Sequence, residues 1–205
     1  MTKTLELCFD VVSPAAYIAW DVTHRIAEAA GADLICTPIF LGGVMQATGN
    51  RPPGTVAAKK AWMNRDLARW AGLYGLSFRR NDKHPQNTLA VMRGALAWQD
   101  APIFRDYVAT LFRAMHAENE DLEDPATLVR LLTPLGITAE DFMARTQDPG
   151  IKAGLKANTE RAVERGMFGA PTFFVGDQMH FGQDRLWMVA EDLGVSIHDA
   201  LGQNG

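Results

Sequence analysis

No Cys-x-x-Cys pair occurs in this sequence, and its two cysteines, Cys8 and Cys36, stand apart inside apolar runs. Cysteines placed that way read as buried small hydrophobes rather than as a disulfide or a redox dithiol. Basic residues are not in excess either: 20 Lys and Arg against 24 Asp and Glu leave a net charge of −4. That balance gives no general case for nucleic acid. No apolar run is long enough to span a bilayer, and the first residues, Met1-Thr2-Lys3-Thr4-Leu5-Glu6, lack the apolar core of a signal peptide. The expectation is a cytoplasmic protein with no membrane partner. His24, His116, His180 and His198 show no metal-ligand spacing, and no Ser-His-Asp arrangement can be read, so no metal is assigned.

What is present is ordinary globular composition, 47% apolar and 21% charged over 205 residues, enough for one large domain or two small ones. Residues 5–9 read as a short apolar strand. Ser13 is a good N-cap and Pro14 suits the first helical position, where its missing N–H costs nothing. Ile18, Val22 and Ile26 then recur at helical spacing and Gly31 closes the helix. Residues 34–40 read as a second strand, so the start of the chain is a parallel βαβ unit.

From about residue 55 to 166 nearly everything reads as helix, with stretches over 55–74 and 88–100. Further starts are signalled at Ala101-Pro102, Asp124-Pro125, Thr138 to Asp141 and Asp148-Pro149. Strand signals return at Thr172-Phe173-Phe174-Val175, and Gly176-Asp177 turns them into Gln178-Met179-His180-Phe181 as a tight hairpin. A last helix is expected from about Asp184 to Leu193, before Gly194. The order βαβ, helical block, ββα is that of an α/β, thioredoxin-like fold with a large all-helical insertion. The thioredoxin-like part covers 1–41 and 167–205, and the insertion covers 42–166.

At the helix start where such a fold carries its redox cysteines stands Ser13-Pro14-Ala15-Ala16. A hydroxyl there cannot exchange disulfides, but it can donate a hydrogen bond to a thiolate brought by another molecule. A thiol begins near a pKa of about 8.5. A hydrogen bond to a charged group contributes roughly 1.5–3 kcal/mol and the helix dipole roughly 0.3–2 kcal/mol. At about 1.4 kcal/mol per pKa unit, that suffices to ionise a bound thiol at neutral pH. Pro171, poorly placed for ladder bonding just before a hairpin strand, fits a cis Ala170–Pro171 bond in a tight turn facing Ser13. The Ala170 backbone is then free to pair with an extended peptide.

Phe9-Asp10-Val11-Val12-Ser13-Pro14-x-x-Tyr17, Ala47-Thr48-Gly49-Asn50-Arg51-Pro52-Pro53, Lys59, Gly169-Ala170-Pro171-Thr172-Phe173 and Phe181-Gly182-Gln183-Asp184-Arg185 together resemble the 2-hydroxychromene-2-carboxylate isomerases. These stand with the kappa-class glutathione transferases in the DsbA-like branch of the thioredoxin fold. The resemblance implies glutathione as cofactor. It implies that Asn50 and Lys59 receive the glycine carboxylate end and that Gln183, Asp184 and Arg185 receive the γ-glutamyl end. Ser13 would face the thiol and Ala170 would pair with the cysteinyl backbone. His84-Pro85-Gln86-Asn87-Thr88-Leu89 resembles a stretch that lines the second-substrate pocket, with Asn87 as a polar contact. The implied reaction is glutathione-dependent isomerisation of a small aromatic enone in naphthalene-type catabolism, by a homodimer. The alternatives are a kappa-like transferase that leaves glutathione on an electrophile, and a glutathione or peptide binder without turnover. The sequence departs from the family pattern at Val11-Val12 and Ala15-Ala16, which border the second-substrate pocket.

Overall fold

The computed structural model describes residues 3–202. Strand β1 (Thr4–Phe9) runs parallel to β2 (Asp33–Pro38) and antiparallel to β3 (Thr172–Val175), which turns back into β4 (Gln178–Phe181). The sheet order is β2-β1-β3-β4, which makes β1 a central strand. It is therefore apolar on both faces. Leu5, Leu7 and Phe9 point into the main core with Cys36 and Phe173. Cys8 and Phe174 alternate to the opposite face, where they meet Ile39, Val44 and Ala162.

Helix α1 (Pro14–Ala30) joins β1 to β2; Ser13 caps its start and Gly31, at φ 58°, ends it. Ile18, Val22 and Ile26 are buried along it, as their spacing predicts. The helical stretch comprises α2 (Leu41–Thr48), α3 (Ala57–Leu73), α4 (Leu89–Ala97), α5 (Phe104–His116), α6 (Pro125–Leu132), α7 (Ala139–Gln147) and α8 (Pro149–Glu164). Three of the expected starts are capped as read: Asp124 accepts from Thr127 N, Thr138 from Asp141 N and Asp148 from Ile151 N, each at 3.0 Å. The insertion has no core of its own. Met92, Leu111 and Phe112 from it share one apolar cluster with Leu7, Phe9 and Trp20, and the Phe9 ring lies 5.0 Å from Trp20 and 6.0 Å from Phe112.

Several boundaries differ from the sequence expectation, among them the end of the expected helix 88–100, which stops at Ala97. The second strand stops at Pro38, which has no N–H for a ladder bond, and Phe40 leads directly into α2, a helix too short to stand out in the pattern. Ala101-Pro102 lies in successive turns, with Ala101 N bonded to Trp98 O and Phe104 N to Ala101 O, so α5 begins only at Phe104. The expected helix from Asp184 is a 3-10 turn over Gln183–Arg185 followed by α9 (Leu186–Asp192). Beyond Gly194 a further short helix, α10 (Ile197–Ala200), is capped by Ser196. Among the described residues no helix is long and apolar enough to cross a membrane.

Packing between α4 and α5 is tight at Gly94. A Cβ there would lie 2.1 Å from the Tyr107 hydroxyl oxygen, and that hydroxyl donates to Val91 O at 2.8 Å. Gly94→Ala gains helix propensity worth about 1 kcal/mol yet must displace a fully buried ring. The expected outcome is a net loss of about 1–3 kcal/mol in urea unfolding; a more stable variant would contradict the packing described.

Candidate active site

At the end of β1 the chain reaches Asp10, whose side chain is wholly buried. Its Oδ1 accepts from Val12 N at 3.0 Å and from Thr88 Oγ1 at 2.7 Å, and its Oδ2 accepts from Leu41 N at 2.8 Å. Burial pushes the Asp10 carboxyl up, while these three donors pull it back. The carboxylate thereby ties the loop before Ser13 to the starts of α2 and α4. Two further bonds hold that loop: Val11 N meets Met92 Sδ at 3.3 Å, and His116 Nε2 donates to Val11 O at 2.8 Å.

Ser13 is thus presented at a fixed point. Its hydroxyl accepts from Ala16 N at 3.2 Å and donates to Ala170 O at 2.8 Å. The Ala170–Pro171 peptide is cis, as expected. Four successive carbonyls of this turn are taken by four different groups. Asn50 Nδ2 donates to Phe168 O at 2.7 Å, Thr172 Oγ1 to Gly169 O at 2.7 Å, Ser13 Oγ to Ala170 O, and Gly182 N to Pro171 O at 3.0 Å. The structure therefore brings Ser13, Asn50, Ala170 and, through Gly182, the Gln183–Arg185 turn onto one frame.

The remaining site residues divide. Gln183 is buried, 8% exposed, and its amide makes no hydrogen bond among the described residues. Asp184 pairs with its neighbour Arg185 and does not cap an α-helix, because a 3-10 turn precedes α9. Lys59 lies in the first turn of α3, exposed and without a hydrogen bond or ion pair among the described residues. Asn87 lies apart from the Ser13 frame. Its Oδ1 accepts from Leu89 N at 3.1 Å, and it borders an apolar cavity of about 380 Å³ between α4, α6 and α7 that no residue of the Ser13 loop lines. Thr88, not Asn87, is the side chain that turns inward, to Asp10.

Neither cysteine can serve as nucleophile. Burial pushes the Cys36 thiol up to about 12 and the Cys8 thiol further. Two backbone donors beside Ser13 make no hydrogen bond within the described residues: Ala15 N–H in the first turn of α1 and Ala170 N–H at the cis peptide. With the helix N-terminus behind them, these groups suit an anionic sulfur on an extended peptide.

Residues 4–194 match the family of DSBA-like thioredoxin domains. The chain belongs to that family. Among its relatives within the DSBA-like family are 2-hydroxychromene-2-carboxylate isomerase of Pseudomonas sp. (strain C18), 32% identical over 93% of this chain and 90% of that protein, and human glutathione S-transferase kappa 1, 27% identical over 95% of this chain and 92% of that one. A solved 2-hydroxychromene-2-carboxylate isomerase superposes with a TM-score of 0.84 at 26% identity, covering 93% of this chain and 94% of that one. The DsbA-like thioredoxin fold expected from the sequence is therefore the fold observed, and the relatives include isomerases and glutathione transferases.

Sequence reasoning singled out Asp10 only as part of a motif; its buried position between three segments was not legible, nor was the part of His116 in holding Val11. The His116 imidazole is driven down by burial to about 3, against the help of its bond to Val11 O, with the nearby charges of His84 and Arg80 lowering it further. A neutral native imidazole meets an unfolded one that takes up a proton below about 6.5. The unfolded state then binds more protons, so stability is fully present above that pH and is lost as the pH falls from about 6.5 towards about 3. Thermal unfolding should show this loss between pH 6.5 and 5, at most about 1.4 kcal/mol per pH unit. His116→Gln, which keeps a donor for Val11 O, should make the slope shallower and leave the part due to His84 and His24, whose imidazoles burial also lowers; an unchanged slope would remove His116 as a source.

Proposed function

We propose that this protein is a glutathione-dependent isomerase of a small aromatic enone, 2-hydroxychromene-2-carboxylate or a compound like it. The observation that carries the proposal is the Ser13 hydroxyl, held at the N-terminus of α1 and aimed at the carbonyl of Ala170. The isomerases among its relatives support the reaction class, and the kappa-class transferases support glutathione as cosubstrate.

The residues fit such a cosubstrate. A γ-glutamyl-cysteinyl-glycine chain needs a donor for its sulfur, backbone partners for its cysteinyl unit and charged groups for its ends. Ser13 Oγ and Ala15 N–H meet the first need, and the Ala170 N–H and C=O meet the second. Asn50 and Lys59 suit a carboxylate; the Gln183 amide and the Asp184 carboxylate suit an α-amino acid end. When bound, glutathione supplies a thiolate that can add to a conjugated double bond and leave again.

The chain's own part follows from its hydrogen bonds. Ser13 has one proton, now given to Ala170 O. Turning that proton to a sulfur anion frees the Ala170 carbonyl to accept an N–H from the peptide. Sulfur activation and peptide pairing are thus one exchange, with no bond lost overall. Asp10 acts as a positioning residue, because its carboxylate fixes Val12 N and so the place of Ser13.

Calorimetry with reduced glutathione in two buffers of different ionisation heat reads both affinity and proton release. Wild type should release a proton near pH 7. Ser13→Ala, losing a charge-assisted bond of about 1.5–3 kcal/mol, should raise the bound thiol pKa by about 1–2 units and cut turnover by about tenfold or more. Glutathione recovered unchanged after many turnovers of an enone substrate supports isomerisation. A stoichiometric conjugate would replace it with transfer, and absence of binding would remove glutathione altogether.

A further inference from the structure

Beside the start of α1, between α3 and the segment 76–86, two cations, Arg80 and Lys60, gather about His84 with no acid among them. Arg80 donates to Asn64 Oδ1 on α3 at 2.9 Å, a neutral acceptor, and forms no ion pair among the described residues. The guanidinium is partly buried, and burial lowers its pKa. His84 lies close enough to Arg80 and Lys60 that their charges, after burial, press its imidazole down to about 4. No hydrogen bond among the described residues occupies either of its ring nitrogens. The acids nearby are engaged elsewhere, Asp82 with Arg79 and Asn119, and Glu118 with Arg113.

This cluster adjoins the active site. The His84 ring lies 6.3 Å from that of His116, which donates to Val11 O in the loop leading to Ser13. Tyr17, one turn along α1 from Ser13, stacks on His116 at 5.5 Å. Ala15, Tyr17, Leu67, Trp70 and Phe78 pack in one apolar cluster between α1 and α3, and all but Leu67 keep part of their surface exposed. A partly buried guanidinium whose only partner is an amide is an unfavourable arrangement by itself. It becomes a favourable one when a carboxylate accepts its fork of donors.

We propose that Arg80, flanked by His84 and Lys60, holds the carboxylate of the second substrate, whose apolar body lies against Ala15, Tyr17 and Trp70. This rests on reading Ser13 as the sulfur-activating group. It makes Arg80 and His84 specificity residues: neutral imidazole N–H and guanidinium donate to the acid group, and a neutral analogue of the same shape leaves them unpaired.

The other carboxylate that could come here is that of glutathione itself, and the test separates the two. Titration calorimetry is run with 3-phenylpropionate and with its neutral amide, 3-phenylpropanamide, in the presence and absence of reduced glutathione. Wild type should bind the acid at least about tenfold more tightly than the amide. Arg80→Gln should lose that preference while holding glutathione within about twofold of wild type, and Arg80→Lys should keep part of it. Should Arg80→Gln fail to fold, His84→Phe serves in its place and is expected to weaken the acid alone. Equal binding of acid and amide by wild type, or no binding of either, overturns the proposal. So does an Arg80 variant that loses glutathione but keeps its preference for the acid, which would give the cluster to glutathione's own carboxylate. Failure of wild type to bind glutathione overturns the sulfur-activating reading instead, and the acid–amide comparison still decides the subsite.

Discussion

The carboxylate of Asp10 is the interaction on which the rest of the site depends. It is wholly removed from water, and taking a lone carboxylate there costs several kcal/mol. Three donors offset that cost: the Val12 and Leu41 amides and the Thr88 hydroxyl. All three are donors, and an ionised carboxylate can accept from all of them. Because those donors belong to the loop before α1, the start of α2 and the start of α4, one charge fixes the mutual position of three segments distant in sequence. Ser13 inherits its place from that knot. Its amide is bonded to Asp10 O at 3.0 Å, so the Ser13 backbone is tied to the residue that carries the knot.

Across from Ser13 the frame is equally constrained, and beyond it the constraint fades. The turn 168–171 gives each carbonyl a separate partner, so the Ala170 backbone is presented with little freedom left to lose. By contrast every residue from Gln46 through Trp62 is exposed, including Asn50 and Lys59. On the proposed reading the sulfur end of the site is preorganised, whereas its carboxylate end is so only at Asn50, which is tied to Phe168 O. Ordering a lysine on binding costs about 0.5–1.5 kcal/mol, so binding energy from the peptide's end is partly spent on ordering, whereas the sulfur contacts enter without that cost. That distribution suits a site whose chemistry is at the sulfur.

Much of this was legible in the sequence because it rests on local rules. Ser13-Pro14 announces a capped helix start, Gly31 its end, and Gly176-Asp177 a hairpin, each for reasons confined to a few residues. The βαβ…ββα order then follows from handedness and short links. What escaped was non-local or short. Asp10 has the look of any loop acid, and its partners Leu41 and Thr88 lie 31 and 78 residues away. The basic cluster joins Lys60 on one segment to Arg80 and the neutral His84 on another, and only the packing of α3 beside the segment 76–86 makes them neighbours. Asn87 and Thr88 are both acceptable caps by sequence; the fold chose Thr88 for the inward position because Asp10 waits there. Helices α2 and α10, of two turns and one, carry too little periodicity to be read.

The substitution at the helix start changes what kind of chemistry this fold can do. A cysteine at that position, activated by the helix dipole, keeps its sulfur and passes electrons. Ser13 keeps nothing that can be oxidised, and with Ala16 in the fourth position there is no resolving group either. The two cysteines the chain does have are buried, with thiols pushed well above neutral range. On the proposed reading the same dipole and the same cis-proline turn act on a sulfur that comes from outside. A sulfur brought by another molecule is, on that reading, held by that molecule's own backbone and charges, which is the part proposed for Ala170, Gln183 and Lys59. Under the proposed isomerisation that sulfur is released unchanged for the next cycle, so the protein gains most from stabilising the free thiolate rather than any bond to it. A single hydroxyl proton shared between that anion and the Ala170 carbonyl does this, because it is returned to the carbonyl whenever the sulfur leaves.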